Sequence, residues 1–385
     1  MADKQIEITN CHVHLFTERH TPEHYPSRLV APVKRFPWLA VPIAWLLAFL
    51  GLDQAADQVR RLRRFQAETR QKGQRDILVN ICRHYPGNTR FVVLPMDLTQ
   101  IGHGDVPVPL SDQHDELAAL KRDPDLGAKI IPFAMIDPRA PGQPQELWRA
   151  IDRLNFKGIK LYPRLGYAPD HPMLMAEVYP RAEARGLPIM SHCSRGGVQG
   201  RSRHDPATGT TMPMNAHYAD LFTEPQAFAP VMKAFPALRI CLAHFGGSRD
   251  WRAYVNPEAP SPRADEYTRN WQRCIRDMIG SGDHPGLWTD ISYTLFEFEE
   301  NIPFLKHFLL AETVEAERLR HRVLFGSDYY MTRQERLSER AVCFRLRNEL
   351  GEEVFRQIAE ENPRVWLGEA KDRLGHDTPA FASGR

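Results

Sequence analysis

The residues of this 385-residue chain best suited to chemistry are histidines and one acid at the ends of apolar runs. The first run, Ile6 to His14, reads Ile-Glu-Ile-Thr-Asn-Cys-His-Val-His and ends in two imidazoles one residue apart. Successive strand side chains face opposite ways, so His12 and His14 share one face and Cys11 and Val13 the other. Two ordinary histidines at a strand end would look the same, and the signal gains weight only from further run ends. Lys160, His192, His244 and Asp328 each close a different apolar run and stand at or near a Gly, Pro, Ser or Tyr-rich turn. His12, His14, His192 and Asp328 together match a divalent first-row metal, which takes about three or four protein ligands at roughly 2.0 to 2.2 Å and leaves room for water. Such an ion lowers the pKa of its water from 15.7 to about 7. Asp328 would take or hold that proton while touching the ion, and His244 would polarise the substrate or shuttle a proton.

Other side chains would face the substrate. Lys160 has three readings: pairing with Asp328, binding an anionic substrate group, or carrying a carbamate that bridges a second metal; the first two are preferred. Tyr162, Arg164 and Tyr167 belong to the end of the fourth run, Arg201, Arg203 and His204 to a Gly-rich loop after the fifth, and Tyr293 to the end of the seventh. An arginine fork among them would hold a carboxylate bidentately.

These residues need a frame that gathers them. Eight apolar runs recur: Ile6 to His14, Phe91 to Leu98, Ile130 to Ile136, Gly158 to Tyr162, Pro188 to Cys193, Ile240 to Phe245, Leu287 to Tyr293 and Val323 to Tyr329. Segments of helical period separate them, from Asp112 to Arg122 through Gln334 to Leu350, with a first helix somewhere in Asp53 to Tyr85. Strands apolar on both faces belong to a parallel sheet covered by helices. Eight such units predict an α/β fold, a TIM-like (β/α)8 barrel with its site at the C-terminal strand ends. A doubly wound open sheet is the alternative, but no Gly-x-Gly-x-x-Gly turn follows the first strand. The expectation is one domain over 1–385, with an apolar helical insertion at about 18–85, a C-terminal helix at about 352–367 and an ordinary terminus from Lys371.

Composition narrows the partners. With 42% hydrophobic residues, 25% charged residues and a net charge of +2, no basic excess points to nucleic acid. A small-molecule substrate is the expected partner, with a homodimer as a candidate assembly. Six scattered cysteines without a Cys-x-x-Cys, and no secretory leader before Ile6, predict free thiols in a reducing cytoplasm. By alternation Cys11, Cys193 and Cys241 fall opposite their neighbouring histidines, as small core residues. The uncharged stretch Phe36 to Leu52 contains two prolines and, at seventeen residues, is shorter than the roughly 20 needed to span a bilayer. A buried helical insertion, a substrate lid or a dimer face is preferred to membrane-surface contact by residues 36–64. Arg60, Arg61, Arg63 and Arg64 fit such contact, and equally the wet face of a helix carrying Val59, Leu62 and Phe65.

The motifs Asn-Cys-His-Val-His-Leu-Phe, Lys-Gly-Ile-Lys-Leu-Tyr-Pro, Ser-His-Cys, Ala-His-Phe-Gly-Gly, Phe-Gly-Ser-Asp and Glu-Asn-Pro-Arg-Val-Trp-Leu-Gly resemble the amidohydrolase superfamily. The set is most similar to the branch that includes aminocarboxymuconate-semialdehyde decarboxylase, resorcylate decarboxylases and lactone hydrolases. The resemblance spans nearly the whole chain apart from residues 18 to 85 and implies a TIM-like barrel. It implies His12, His14, His192 and Asp328 as metal ligands, His244 as the catalytic histidine, and one divalent metal, zinc first, with manganese or another ion as alternatives. It implies hydrolysis of a small amide, ester or lactone, with non-oxidative decarboxylation of an aromatic or muconate-type acid as the close rival and a non-catalytic binding barrel as the remote one. Asn10 stands where the family often has Asp, and Tyr329 and Tyr330 replace a Trp-Pro or similar pair, so the pocket wall differs from that of relatives.

Overall fold

The structure, a computed structural model, describes residues 5–25, 36–49, 59–60, 63, 66–205, 208–255, 270–297, 301–334 and 338–374. The end of the apolar stretch at Leu52, the residues Arg61, Leu62, Arg64 and Phe65, the helix start expected at Tyr267 and the final tail lie outside them.

Eight parallel strands follow one another around a ring. They are β1 (Thr9–Val13), β2 (Arg90–Val93), β3 (Ile130–Pro132, continued by Ala134–Met135), β4 (Ile159–Leu161), β5 (Ile189–Ser191), β6 (Ile240–Leu242), β7 (Leu287–Asp290) and β8 (Val323–Leu324). Each pairs in parallel with the next, β3 meeting β2 through Ile130 and β4 through Ala134. Cys11 N donates to Phe325 O and Asp328 N to His12 O, both at 2.8 Å, while His14 N donates to Tyr329 O at 2.5 Å. Those bonds join β1 to the chain at and beyond β8 and close the sheet into a TIM-like barrel.

Local sequence explains the helices around it. Trp271–Ser281 buries Trp271, Ile275 and Ile279 at four-residue spacing; Asn270 caps its start by accepting from Arg273 N, and Gly282, at φ 80°, ends it. Thr313 and Ser338 cap Val314–Arg320 and Glu339–Leu350 in the same way. Inside the ring, Cys11, Val92, Phe133, Met190, Cys241, Trp288 and Leu324 form one apolar layer together with Trp366. Trp366 comes from the terminal helix Asn362–Trp366, and its ring lies 5.4 Å from that of Phe133. Asn362 Nδ2 donates to Val323 O at 2.7 Å, which fixes this plug to β8.

Two expectations need correcting. Alternation fails in β1, where three residue steps from Asn10 to Val13 match two from Phe91 to Val93: a β-bulge. Cys11 therefore lines the barrel interior instead of the outer face, and Cys241 does the same, because His244 reaches the mouth only through a left-handed backbone at φ 67°. Cys193 does pack in the outer core. The second correction concerns the apolar stretch. Helix Ala40–Phe49 buries Ala40 and Ala44 but exposes Val41, Trp45, Leu46 and Phe49, and Trp38 just before it is 68% exposed. A helix apolar on every side cannot bury all of them against one neighbour, so the described part is not a buried insertion. No helix among the described residues is long and apolar enough to cross a membrane.

Candidate active site

The ends of β1, β4, β5, β6, β7 and the turn after β8 deliver the ionisable side chains to one place. His244, Phe245, Tyr293 and Asp328 all have positive φ, between 44° and 67°, a conformation rare for non-glycine residues and found where tertiary contacts impose it. Gly326 is required for the approach: a Cβ there would stand 2.9 Å from His12 Cβ.

The hydrogen-bond partners decide which nitrogen carries the proton. His12 Nδ1 lies 2.8 Å from Asp290 Oδ2, and His14 Nδ1 lies 2.8 Å from Leu94 O. A carbonyl and an ionised carboxylate only accept, so both rings carry hydrogen on Nδ1 and turn Nε2 toward Asp328. Asp328 Oδ1 sits 3.1 Å from His14 Nε2 and 3.6 Å from His12 Nε2. His12 Nε2 and Asp328 Oδ1 are buried without a hydrogen-bond partner. Burial drives the His12 pKa down to about 4 despite Asp290, so that ring is neutral. Burial would raise the Asp328 carboxyl, but His14, His12 and His244 around it bring it below its ordinary value. His12 Nε2, His14 Nε2 and Asp328 Oδ1 thus converge, the arrangement a small divalent cation satisfies.

His192 stands apart from that trio. Its Nδ1 is 3.0 Å from His244 Nε2, and its Nε2 lies 3.1 Å from Ser194 Oγ. The rings form a row, with centroids 4.9 Å apart for His12 and His244, 4.8 Å for His244 and His192, and 4.3 Å for His192 and Tyr162. Burial lowers the pKa of His244 and takes that of His192 well below its ordinary value. Lys160 is 1% exposed, and its ammonium makes no hydrogen bond or ion pair among the described residues; burial lowers its pKa to about 8. It lies 5.8 Å from the centre of the Tyr162 ring.

The substrate-side candidates divide. Tyr162 OH accepts from Val198 N, and Tyr293 is half-buried beside the mouth with its N–H donating to Ser327 O. Arg164 is not directed to this centre: it pairs with buried Asp220 and donates to Gln199 Oε1. Arg203 lies over the Tyr218 ring, and His204 Nδ1 is 3.1 Å from His171 Nε2, away from the ligand trio. Asn10 touches no imidazole; it accepts from His12 N and Ser327 N and so ties the first strand to the last. Asp290 and Ser292 escaped the sequence reading. Asp290 is the last residue of β7 and meets the strand-end criterion that selected the others. A cavity of about 430 Å³ beside Arg276, His307 and Phe308 contains none of these residues.

The amidohydrolase family profile matches residues 95–368. The chain belongs to the amidohydrolase family. The match starts beyond β1, so it is the closed ring that adds His12 and His14 to the matched part. Among solved structures, this amidohydrolase is similar to a probable 2-pyrone-4,6-dicarboxylic acid hydrolase of Acinetobacter baumannii with citric acid bound (12% identity, 94% of this chain and 100% of the other covered, TM-score 0.52). It is also similar to 5-carboxyvanillate decarboxylase of Novosphingobium aromaticivorans with manganese and 3-methoxy-4-hydroxy-5-nitrobenzoic acid bound (14%, 94% and 96%, TM-score 0.51). An uncharacterized TIM-barrel protein of Bordetella bronchiseptica gives 14%, 94% and 98%, with a TM-score of 0.50. At these identities the likeness concerns the fold. No curated protein matches the chain in sequence.

Proposed function

We propose that this amidohydrolase is a metal-dependent hydrolase of small esters, lactones or amides that carry a carboxylate. The reading rests on one observation: His12 Nε2, His14 Nε2 and Asp328 Oδ1 face one another as buried acceptors. They would hold one divalent cation, zinc or manganese, with His192 as a fourth donor only if it gives up its bond to His244. Bound there, the cation would supply Lewis acidity, polarising a substrate oxygen and acidifying water.

The protein's own groups do the rest. Asp328, ionised, takes a proton from the attacking water as its oxygen bonds to the carbonyl carbon. The C–O or C–N bond then breaks, and that proton passes to the departing oxygen or nitrogen. His244, in contact with His192, receives or returns a proton from the other side of the mouth. The manganese in one structural neighbour and the carboxylated ligands in two support the choice of cofactor and substrate class.

Lys160 favours a second reading, decarboxylation. An ammonium buried without a partner suits a substrate carboxylate, and loss of carbon dioxide would leave an electron pair on carbon, protonated by a proton that Asp328 or His244 relays from water. One experiment separates the two. Metal-free protein is given zinc or manganese and offered carboxylated lactones, esters, amides and aromatic acids, with acid production and carbon dioxide both followed. Cation-dependent acid production without carbon dioxide is expected. Less than about half an equivalent of cation bound, or activity indifferent to chelation, overturns the metal-dependent reading.

A further inference from the structure

Asp290 accepts four hydrogen bonds. Oδ2 accepts from His12 Nδ1 at 2.8 Å, while Oδ1 accepts from His244 N at 2.8 Å, Ser292 N at 3.0 Å and Ser292 Oγ at 2.5 Å. An ionised carboxylate offers about four acceptor positions, and the donors here crowd Oδ1 while Oδ2 serves His12. Burial alone would raise this carboxyl, but His12, His244 and Ser292 hold it well below the usual range. By distance His12, His244 and Asp290 could surround a cation. With four donors already around it, three of them on Oδ1, Asp290 instead serves the groups around it.

Ser292 extends the pattern. Its hydroxyl gives its hydrogen to Asp290 Oδ1, so its oxygen is left as an acceptor for ring N–H groups. His244 Nδ1 lies 2.9 Å from that oxygen and His12 Nδ1 lies 3.1 Å from it. Two imidazoles, at the ends of β1 and β6, are therefore oriented by the last residue of β7 and by Ser292 just after it; both are driven to carry hydrogen on Nδ1, which leaves His12 Nε2 bare and makes His244 Nε2 the acceptor facing His192 Nδ1.

We propose that Asp290 and Ser292 are positioning residues that set the tautomers of His12 and His244, Asp290 preparing His12 to receive a cation and Ser292 aiming His244 at the substrate. This rests on the metal-holding reading above, because Nε2 of His12 matters only if something binds there. Partners in this second layer orient metal ligands and fix their tautomer, and losing one typically costs about 10- to 100-fold in metal affinity or activity. The two residues differ in what they control. Asp290→Asn puts an amide opposite His12 Nδ1 and weakens cation binding. Ser292→Ala leaves the His12–Asp290 bond in place and removes the hydroxyl oxygen that is the nearer acceptor of His244 Nδ1 and a secondary one for His12, the Ser292 carbonyl staying 3.3 Å from His244 Nδ1.

The test has two arms. Long-range proton–nitrogen correlation spectra of metal-free protein, assigned with His12→Gln and His244→Gln, should show both rings protonated on Nδ1; a His12 ring protonated on Nε2 overturns the proposal without needing an Asp290 variant to fold. Chelator competition with manganese should then give a roughly 10- to 100-fold weaker affinity for Asp290→Asn and less than about threefold change for Ser292→Ala, whose kcat falls with KM nearly kept. Equal cation affinity in wild type and folded Asp290→Asn overturns the proposal. Wild-type protein that binds no cation overturns the functional reading instead, and the tautomer spectra still decide this one.

Discussion

Asp328 and His12 are bonded to each other through their backbones, the Asp328 N–H donating to the His12 carbonyl at 2.8 Å. Two side chains from opposite ends of the chain thus share one seam, and the seam that closes the barrel also assembles the acceptor trio. Anything that opens β1 from the last strand disperses the site.

Asp328→Asn should leave a folded barrel and remove the charge that faces His12 and His14. Turnover is expected to fall by at least about a hundredfold. The check is steady-state kinetics beside circular dichroism and a metal titration; activity within a few fold of wild type would remove Asp328 from the chemistry.

His14→Ala and His192→Ala separate a three-donor site from a four-donor one. His14 belongs to the trio, whereas His192 is bonded to His244. Cation affinity should drop by about 100-fold in the first variant and nearer tenfold in the second. Equal losses in chelator competition would make His192 a full ligand.

Lys160 gives a pH signature. Burial lowers its pKa from 10.5 to about 8. Between those values the unfolded chain keeps a proton that the folded chain has released, so stability rises with pH across that window, and at pH 7 the full cost of the buried charge is present. In metal-free protein, Lys160→Met should remove that contribution to the slope and stabilise the fold at pH 7 by roughly 3 kcal/mol. Urea unfolding at pH 7 and again above pH 8 measures both effects; a destabilised variant at pH 7 would mean that Lys160 has a partner.

Trp366 is fully buried at the base of the barrel. Replacing it with Ala should cost about 3 to 5 kcal/mol by opening a cavity under the strands. A loss below about 1 kcal/mol in chemical denaturation would show that the terminal helix does not plug the ring.

Trp45, 68% exposed, should behave oppositely. Trp45→Ser is expected to change unfolding free energy by less than about 0.5 kcal/mol, as for surface positions generally. A loss of several kcal/mol would mean that the helix packs its aromatic face within the protein.

The eight apolar runs, their order and the residues at their ends were legible in the sequence, because burial on both faces of a strand leaves an unbroken apolar signature. Cys11 was placed on the wrong face because a bulge follows from the pairing of β1 with β2, which no periodicity records. Asp290 and Ser292 are not distinguished in the sequence because a carboxylate that gathers four donors looks, as letters, like any acid at a strand end. Arg164 drew attention as a free fork, whereas its partner Asp220 lies in a distant segment.

By itself the chain determined which imidazoles and acids could meet, since their types and their places at strand ends are written in order. Only the closed barrel decided which of them do meet, which ring nitrogen each presents and which stand one ring away. The physical reason is directional: a lone pair points according to what its other nitrogen bonds, and in this protein those partners come from other strands.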